Sequence, residues 1–240
     1  NTHQTGSLNP PTSEVPPFNR GFNNLNGSIG ESLIFNNLLV KFDLSSGFRS
    51  GNLAELAANG LHEGTPYWYI GNPRMKVEQC LNADVSASWQ HKWLTLRGSV
   101  FRNRFHNFIY LRPTDEEYFG FPISRYEQTN ASFQGCEAGA SFEKNERFSF
   151  SFDYSYLDAK RDDGSWLPYS PANRFLSDNR YFLPLITPNW QNAFVSFGIN
   201  YTQEQDHTDL DESPTSGYWL FHAGAGVSFK SVRVLLTCRN

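Results

Sequence analysis

Two-residue alternation, held for nine or more residues at a time, constrains this chain more than any other feature. Residues 148–156 read FSFSFDYSY, which puts Phe148, Phe150, Phe152, Tyr154 and Tyr156 on one face and Ser, Asp and Ser on the other. In 217–229 one face carries Trp219, Phe221, Ala223, Ala225, Val227 and Phe229, and the other carries His222, Gly224, Gly226 and Ser228. Residues 192–201 and 81–89 repeat the pattern, with Val195, Phe197 and Ile199 in the first and Leu81, Val85 and Trp89 in the second. Side chains alternate in this way only in extended chain, so these segments are β-strands and not helices.

The pattern predicts about ten strands: 22–35, 39–49, 80–89, 94–110, 126–142, 148–158, 172–182, 190–203, 217–229 and 232–239. Several exceed the ~5–6 residues usual in soluble sheets and reach the ~9–11 that cross a bilayer at a tilt. The connections alternate as well. Short ones (Asn36–Leu38, Gln90–Trp93, Glu143–Arg147, Leu183–Asn189, Lys230–Ser231) take turns with long ones (Ser50–Gln79, Leu111–Arg125, Ala159–Pro171, Glu204–Ser216). Short turns at one rim and long loops at the other are the habit of outer-membrane barrels; a soluble β-sandwich has no reason to keep that parity. It also sets strand direction, the first strand running toward the periplasm.

Composition agrees. Aromatic residues are 16% of the 240 and charged residues only 18%. Mean hydropathy is −0.52, and no apolar run is long enough for a membrane-crossing helix. A barrel wall needs lipid-facing residues only at alternate positions, so a negative mean is compatible with it. Aromatics gather near strand ends (Trp89, Trp93, Tyr110, Tyr126, Tyr156, Trp190, Tyr201, Tyr218, Trp219), where amphipathic rings settle at headgroup depth. The opposite face is small and polar, as a hydrated lumen or a surface docking a polar plug requires. The net charge of −4 supplies no basic surface, so no nucleic-acid partner is expected. Cys80, Cys136 and Cys238 are distant and odd in number, which argues against a disulfide framework; Cys136 and Cys238 fall on the lipid-facing side.

One stretch carries a resemblance. Residues 47–80 hold Gly47-Phe48-Arg49, Asn52, Glu55-Leu56, Asn59-Gly60, His62-Glu63-Gly64-Thr65 and Gly71-Asn72, with Lys76 and Glu78. This set resembles the corner and following loop of TonB-dependent receptor barrels. Residues 101–111, 126–139 and 211–218 and the final TCRN resemble further family segments in the same order. Gly51 stands where the family usually has proline. The resemblance implies the following: an all-β, antiparallel transmembrane β-barrel, with about ten strands of a 22-stranded type present and therefore incomplete on its own; the plug domain and final strands outside residues 1–240; and a place in the outer membrane of a Gram-negative bacterium. The implied partners are outer-membrane lipid, the protein's own plug, TonB acting through that plug, and a metal or metal-chelate ligand. The implied work is energy-dependent uptake of a scarce nutrient, iron or another metal as an ion, siderophore or haem complex.

The chain lacks the motifs of catalysis. None of its six histidines stands in a nucleophile or HExxH setting, and no GxSxG or phosphate loop occurs. Asp84 and Glu137 both fall on the lumen face, where hydrogen bonding within the wall is a plainer role than acid–base work. For ligand capture the candidates are His62, Glu63, Tyr67 and Trp68 in one long loop and Asp206, His207 and Asp209 in another. Imidazole and carboxylate suit borderline and hard metals, and aromatic rings suit planar chelates; the plainer reading is two solvated loops. No cofactor is expected, and the chain is not expected to be an enzyme. Two alternatives stand beside the receptor reading: a self-contained barrel enzyme with its site at the outer rim, and a passive porin or adhesin.

Overall fold

The computed structural model describes residues 2–6, 18–62, 64–144, 147–184, 189–209 and 212–240. Its strands are β1 (Thr2–Gly6), β2 (Phe18–Phe22), β3 (Ser28–Phe35), β4 (Leu38–Arg49), β5 (Asn59–Leu61), β6 (Trp68–Ile70), β7 (Glu78–His91), β8 (Leu94–Tyr118), β9 (Phe121–Lys144), β10 (Phe148–Arg161), β11 (Arg174–Phe182), β12 (Trp190–Thr202), β13 (Tyr218–Phe229) and β14 (Val232–Arg239), with one short helix, α1 (Leu53–Ala57). Ten of the strands form one antiparallel meander in the order β14-β13-β12-β11-β10-β9-β8-β7-β4-β3. Within this chain the sheet is open, with β3 and β14 at its edges.

Register shows why alternation decides everything here. Residues paired across an antiparallel ladder share a face, so the pattern of one strand must match its neighbours. It does: Tyr156, Cys136, Val100, Val85 and Phe42 lie in one row across five strands. The next row toward the turns holds Tyr154, Ala138, Gly98, Ala87 and Val40. On the far side Tyr154, Phe175, Tyr201 and Trp219 are consecutive cross-strand neighbours, with ring centroids 4.6, 6.1 and 4.2 Å apart. Each such pair adds roughly 0.5–1.5 kcal/mol beyond its buried area. This face keeps its large apolar side chains exposed, Val100, Phe197, Phe221 and Leu236 among them. A soluble sheet would cover that surface.

The opposite face is polar. Arg97 pairs with Asp153 at 3.1 Å, and His222 Nε2 lies 2.7 Å from Asp178 Oδ1. Gly198 sits directly opposite His222, where a Cβ would collide with the imidazole. Asp84 faces Asp43 and Phe101, whereas Glu137 faces Ser99 and Ser155, so the two carboxylates lie in different rows.

Three sequence expectations are corrected. The segment 111–125 is not a loop: β8 and β9 run on as a long hairpin arm that turns only at Phe119-Gly120. The first expected strand, 22–35, is broken, because residues 23–27 (Asn-Asn-Leu-Asn-Gly) are not extended ladder, as their turn-forming composition explains. The long loop 50–79 contains α1 and the β5–β6 hairpin.

Candidate functional site

Above the loop rim of the sheet the connections are folded rather than trailing. The first of them is built around Arg49. Its guanidinium spans Glu55 at 2.9 Å and Glu78 at 3.0 Å, and both carboxylates are nearly buried. Glu78 also accepts the Ile109 backbone N–H at 2.7 Å. Asn52 caps α1 by accepting the Glu55 N–H, while Glu55 accepts the Asn52 N–H, a reciprocal capping box. Gly71 lies against the end of that helix; a Cβ there would come within 2.6 Å of the Ala57 and Ala58 nitrogens. Leu56 and Met75, both fully buried, pack against Ile109, with Tyr126 beside them. Several of the residues that carry the sequence resemblance, Arg49, Asn52, Glu55, Leu56, Gly71 and Glu78, therefore fold this loop.

The β8–β9 arm is gripped on both faces. Leu56 and Met75 cover one. On the other, Leu167 joins Ala131 and Ala159 against Phe105, Phe108 and Phe133. The arm's free edge is occupied as well: β6 pairs in parallel with β9 at Trp68↔Ile123 through Ile70↔Arg125, beyond the point where β10 stops. An edge that would offer unpaired backbone groups is thus capped by the chain's own hairpin.

Two further loops are stitched together. Arg161 forms a two-pronged ion pair with Asp209, one prong at 3.1 Å, and donates to the Tyr110 hydroxyl at 3.3 Å. The side chains of Arg161 and Asp209 are only 11% and 7% exposed. Trp166 stacks on His207 with centroids 3.8 Å apart and planes 5° from parallel, and Lys160 Nζ lies 4.0 Å from the Trp166 ring centroid. Glu212 accepts the Tyr169 N–H at 3.1 Å, and Gln205 donates to the Ser170 carbonyl. Ser165 donates from both backbone and hydroxyl to Asp163, which holds that carboxyl below its ordinary pKa.

Sequence reading singled out two loop groups, and the structure separates their members. The His62 ring lies against Tyr69, with centroids 4.8 Å apart and planes tilted by 36°. Trp68 donates its Nε1 to Asn59 at 3.1 Å and meets Tyr118 edge-on at 4.7 Å. Tyr67 is exposed, and Glu63 lies outside the described residues. In the second group Asp209 is committed to Arg161, His207 to Trp166, and Asp206 stands 3.7 Å from the His207 ring nitrogen. Tyr169 went unnoticed in the sequence, yet it is 60% exposed and holds a left-handed backbone at φ 60°. Partial desolvation, with Tyr67, Tyr69 and Glu212 nearby, raises its pKa. The only sequence sign was an aromatic between Pro168 and Ser170 in a loop otherwise built for turns. Among the described residues no three His, Cys, Asp or Glu side chains converge as a metal cage.

An antiparallel meander with one apolar exposed face, one charged face, tight turns at one rim and folded loops at the other is the wall of a transmembrane β-barrel. The family described as "TonB dependent receptor-like, beta-barrel" matches residues 1–240, and the chain belongs to it. Solved structures agree in fold. The copper transporter OprC superposes with a TM-score of 0.77 at 14% identity, over 95% of this chain and 35% of that one. The siderophore receptor PirA from Acinetobacter baumannii gives 0.65 at 18%, over 89% and 36%. A point mutant of the ferric enterobactin receptor PfeA from Pseudomonas aeruginosa, in complex with enterobactin, gives 0.65 at 15%, over 94% and 35%. The chain thus spans about a third of the length of the solved receptors it matches.

Proposed function

We propose that this chain supplies part of the wall and several extracellular loops of an outer-membrane receptor that captures a scarce metal, as an ion or a chelate, for uptake powered by TonB. The observation that carries the reading is the aromatic surface where the β5–β6 hairpin meets the β8–β9 arm, with Tyr169 of the 162–173 loop near enough to Tyr67 and Tyr69 to interact electrostatically. His62, Tyr67, Trp68, Tyr69, Tyr118 and Tyr169 are brought there from separate stretches of sequence, on backbone that is hydrogen-bonded or packed. Rings held in advance bind a planar or aromatic chelate with little ordering cost.

In this reading the charged inner face docks a plug supplied by the rest of the protein, and TonB acts on that plug. Asp206 and His207 would line the margin of the site, while Asp209 serves its architecture. The family's character as receptors speaks against the enzyme alternative, and a passive pore has no use for loops folded this tightly. Calorimetry on the complete receptor with zinc, copper, haem and a ferric siderophore tests the proposal. Binding of a chelate that weakens at least tenfold in Tyr67→Ala/Tyr169→Ala supports it. Absence of heat with every chelate, or binding indifferent to both substitutions, would sink it.

A further inference from the structure

Among the described residues, seven that are not glycine hold a left-handed backbone. The sheet explains all of them but one. Asn36, Lys92, Phe119 and Lys230 open the two-residue turns between paired strands, and such turns need a positive φ at their first central residue. Asn107 and Asn192 sit at the register shifts of β8 and β12, where an extra residue bulges the ladder. Tyr169 is the exception. It lies in the 162–173 connection, in neither a two-residue hairpin turn nor a ladder. A bulky side chain rarely takes this conformation, and a residue held in it persists only where its surroundings enforce it.

The enforcement comes from another loop. Leu167 is buried against Ala131 and Ala159, and its N–H donates to the Ala159 carbonyl at 3.1 Å. Ser170 donates its hydroxyl to the Leu167 carbonyl at 2.8 Å, and its own carbonyl accepts from Gln205. Between these anchors the Tyr169 ring is largely exposed, so side-chain packing does little to fix it. Its N–H instead donates to both carboxylate oxygens of Glu212, at 3.1 Å each. A braced turn presents Glu212: its N–H donates to the Asp209 carbonyl at 3.1 Å, and its carboxylate accepts the Asp209 N–H at 3.4 Å. Asp209 is held by Arg161, and Thr215 exchanges backbone hydrogen bonds with Gln205 at 2.8 and 3.0 Å. The β12–β13 connection thus grips the β10–β11 connection on both sides of Tyr169, at Arg161 and at Ser170.

We propose that Glu212 is a positioning residue of the aromatic capture surface: its carboxylate holds the Tyr169 amide, keeps that residue left-handed and so presents its ring beside Tyr67 and Tyr69. The inference rests on the reading of that surface as the ligand site. Glu212 acts through Tyr169 and not by touching a ligand. An ionised carboxylate accepts a backbone N–H more strongly than a neutral oxygen does, which suits a contact that must oppose backbone strain. Tyr169 is close enough to Tyr67 and Tyr69 to feel their charge, so relaxing its backbone changes where the exposed ring stands relative to theirs.

The complete receptor tests this with and without ligand. Without ligand, 3-fluorotyrosine in place of Tyr169 is read by fluorine NMR. A single resonance is expected with Glu212 present and in Glu212→Gln, which keeps an acceptor oxygen, and a displaced or split one in Glu212→Ala. An unchanged resonance in Glu212→Ala overturns the proposal. With ligand, calorimetry uses haem and ferric enterobactin. Whichever binds the wild type should bind Glu212→Ala about tenfold more weakly and Glu212→Gln nearly as well as before. Once Tyr169→Ala has removed the ring, adding Glu212→Ala should change affinity less than about twofold, because a residue that acts only through Tyr169 has nothing left to position. A further loss of about tenfold in that background, or wild-type affinity in Glu212→Ala, overturns the proposal. If neither chelate binds the wild type while the resonance still moves, the ligand reading fails and the hold of Glu212 on Tyr169 stands, so the two failures are told apart. Should Glu212→Ala fail to fold, Glu212→Met, which keeps the bulk and loses the oxygens, takes its place.

Discussion

The spanning sheet and the loops above it are held together by different physics. In the sheet, cohesion is distributed. Each strand contributes a ladder and one residue per row, the apolar rows face lipid, and no single side chain is indispensable. In the loops, cohesion is concentrated in a few buried polar contacts: Arg49 with Glu55 and Glu78, Arg161 with Asp209, and a capping box on a helix of one and a half turns. A wall must tolerate a change of lipid, whereas a capture surface must keep a handful of side chains in fixed places.

The sharpest way to break the comparison is Arg49→Ala. It removes the cation that bridges Glu55 and Glu78 and leaves two nearly buried carboxylates without it. Breaking a fully buried pair costs about 3–5 kcal/mol. With the Arg49 side chain 41% exposed, solvent screening brings the cost below that range, and it falls on residues 50–78. Hydrogen exchange on the complete receptor should show this loop and the Ile109 amide opening, while amides of β10 to β13 keep their protection. Uniform loss of protection across the sheet would mean that loop and wall are one cooperative unit, and the contrast drawn above would fail.

The converse experiment acts on the wall. Ala87 lies at mid-height in the row of Tyr154, Ala138, Gly98 and Val40, facing lipid. Ser99 lies on the lumen face opposite Glu137 and Ser86. Arginine at the first position should cost about 2–4 kcal/mol and at the second close to nothing. Urea unfolding of the receptor refolded into vesicles reads the difference. Equal costs would mean that the two faces have been assigned the wrong way round.

This asymmetry also explains what was legible in the sequence. A residue facing lipid or water declares itself through period two, and β10 to β14 fall within three residues of the expected limits. The arm was hidden because Pro113, Asp115, Gly120 and Pro122 read as loop formers. Contacts that sequence period cannot express keep it extended: β6 along its edge, Thr114 Oγ1 donating to the Ile123 carbonyl at 2.8 Å, and Arg125 on Glu116 at 2.5 Å. The candidate site was half legible for the same reason. His62, Tyr67 and Trp68 were visible as an aromatic-rich loop, but Tyr169 joins them only through folding, and the commitment of Asp209 to Arg161 depends on a partner 48 residues away. The family motif was read correctly as a signature, and several of its residues, Arg49, Asn52, Glu55 and Glu78 among them, fold the loop.

The smallest effect is the most local. Asn52 and Glu55 three residues on are a capping-box spacing that the sequence already displays, and the structure realises it with Glu55 N–H to Asn52 Oδ1 at 2.9 Å and Asn52 N–H to Glu55 Oε2 at 2.7 Å. Asn52→Ala should cost about 1 kcal/mol, felt within α1. Because Glu55 keeps its bond to Arg49, the rest of the loop should stay closed. Hydrogen exchange should therefore speed up at the Leu53 to Glu55 amides and leave Gly71 and Ile109 unchanged. If Gly71 and Ile109 also open, the cap and the ion pair act as a single element, and the cohesion assigned to Arg49 must be shared between them.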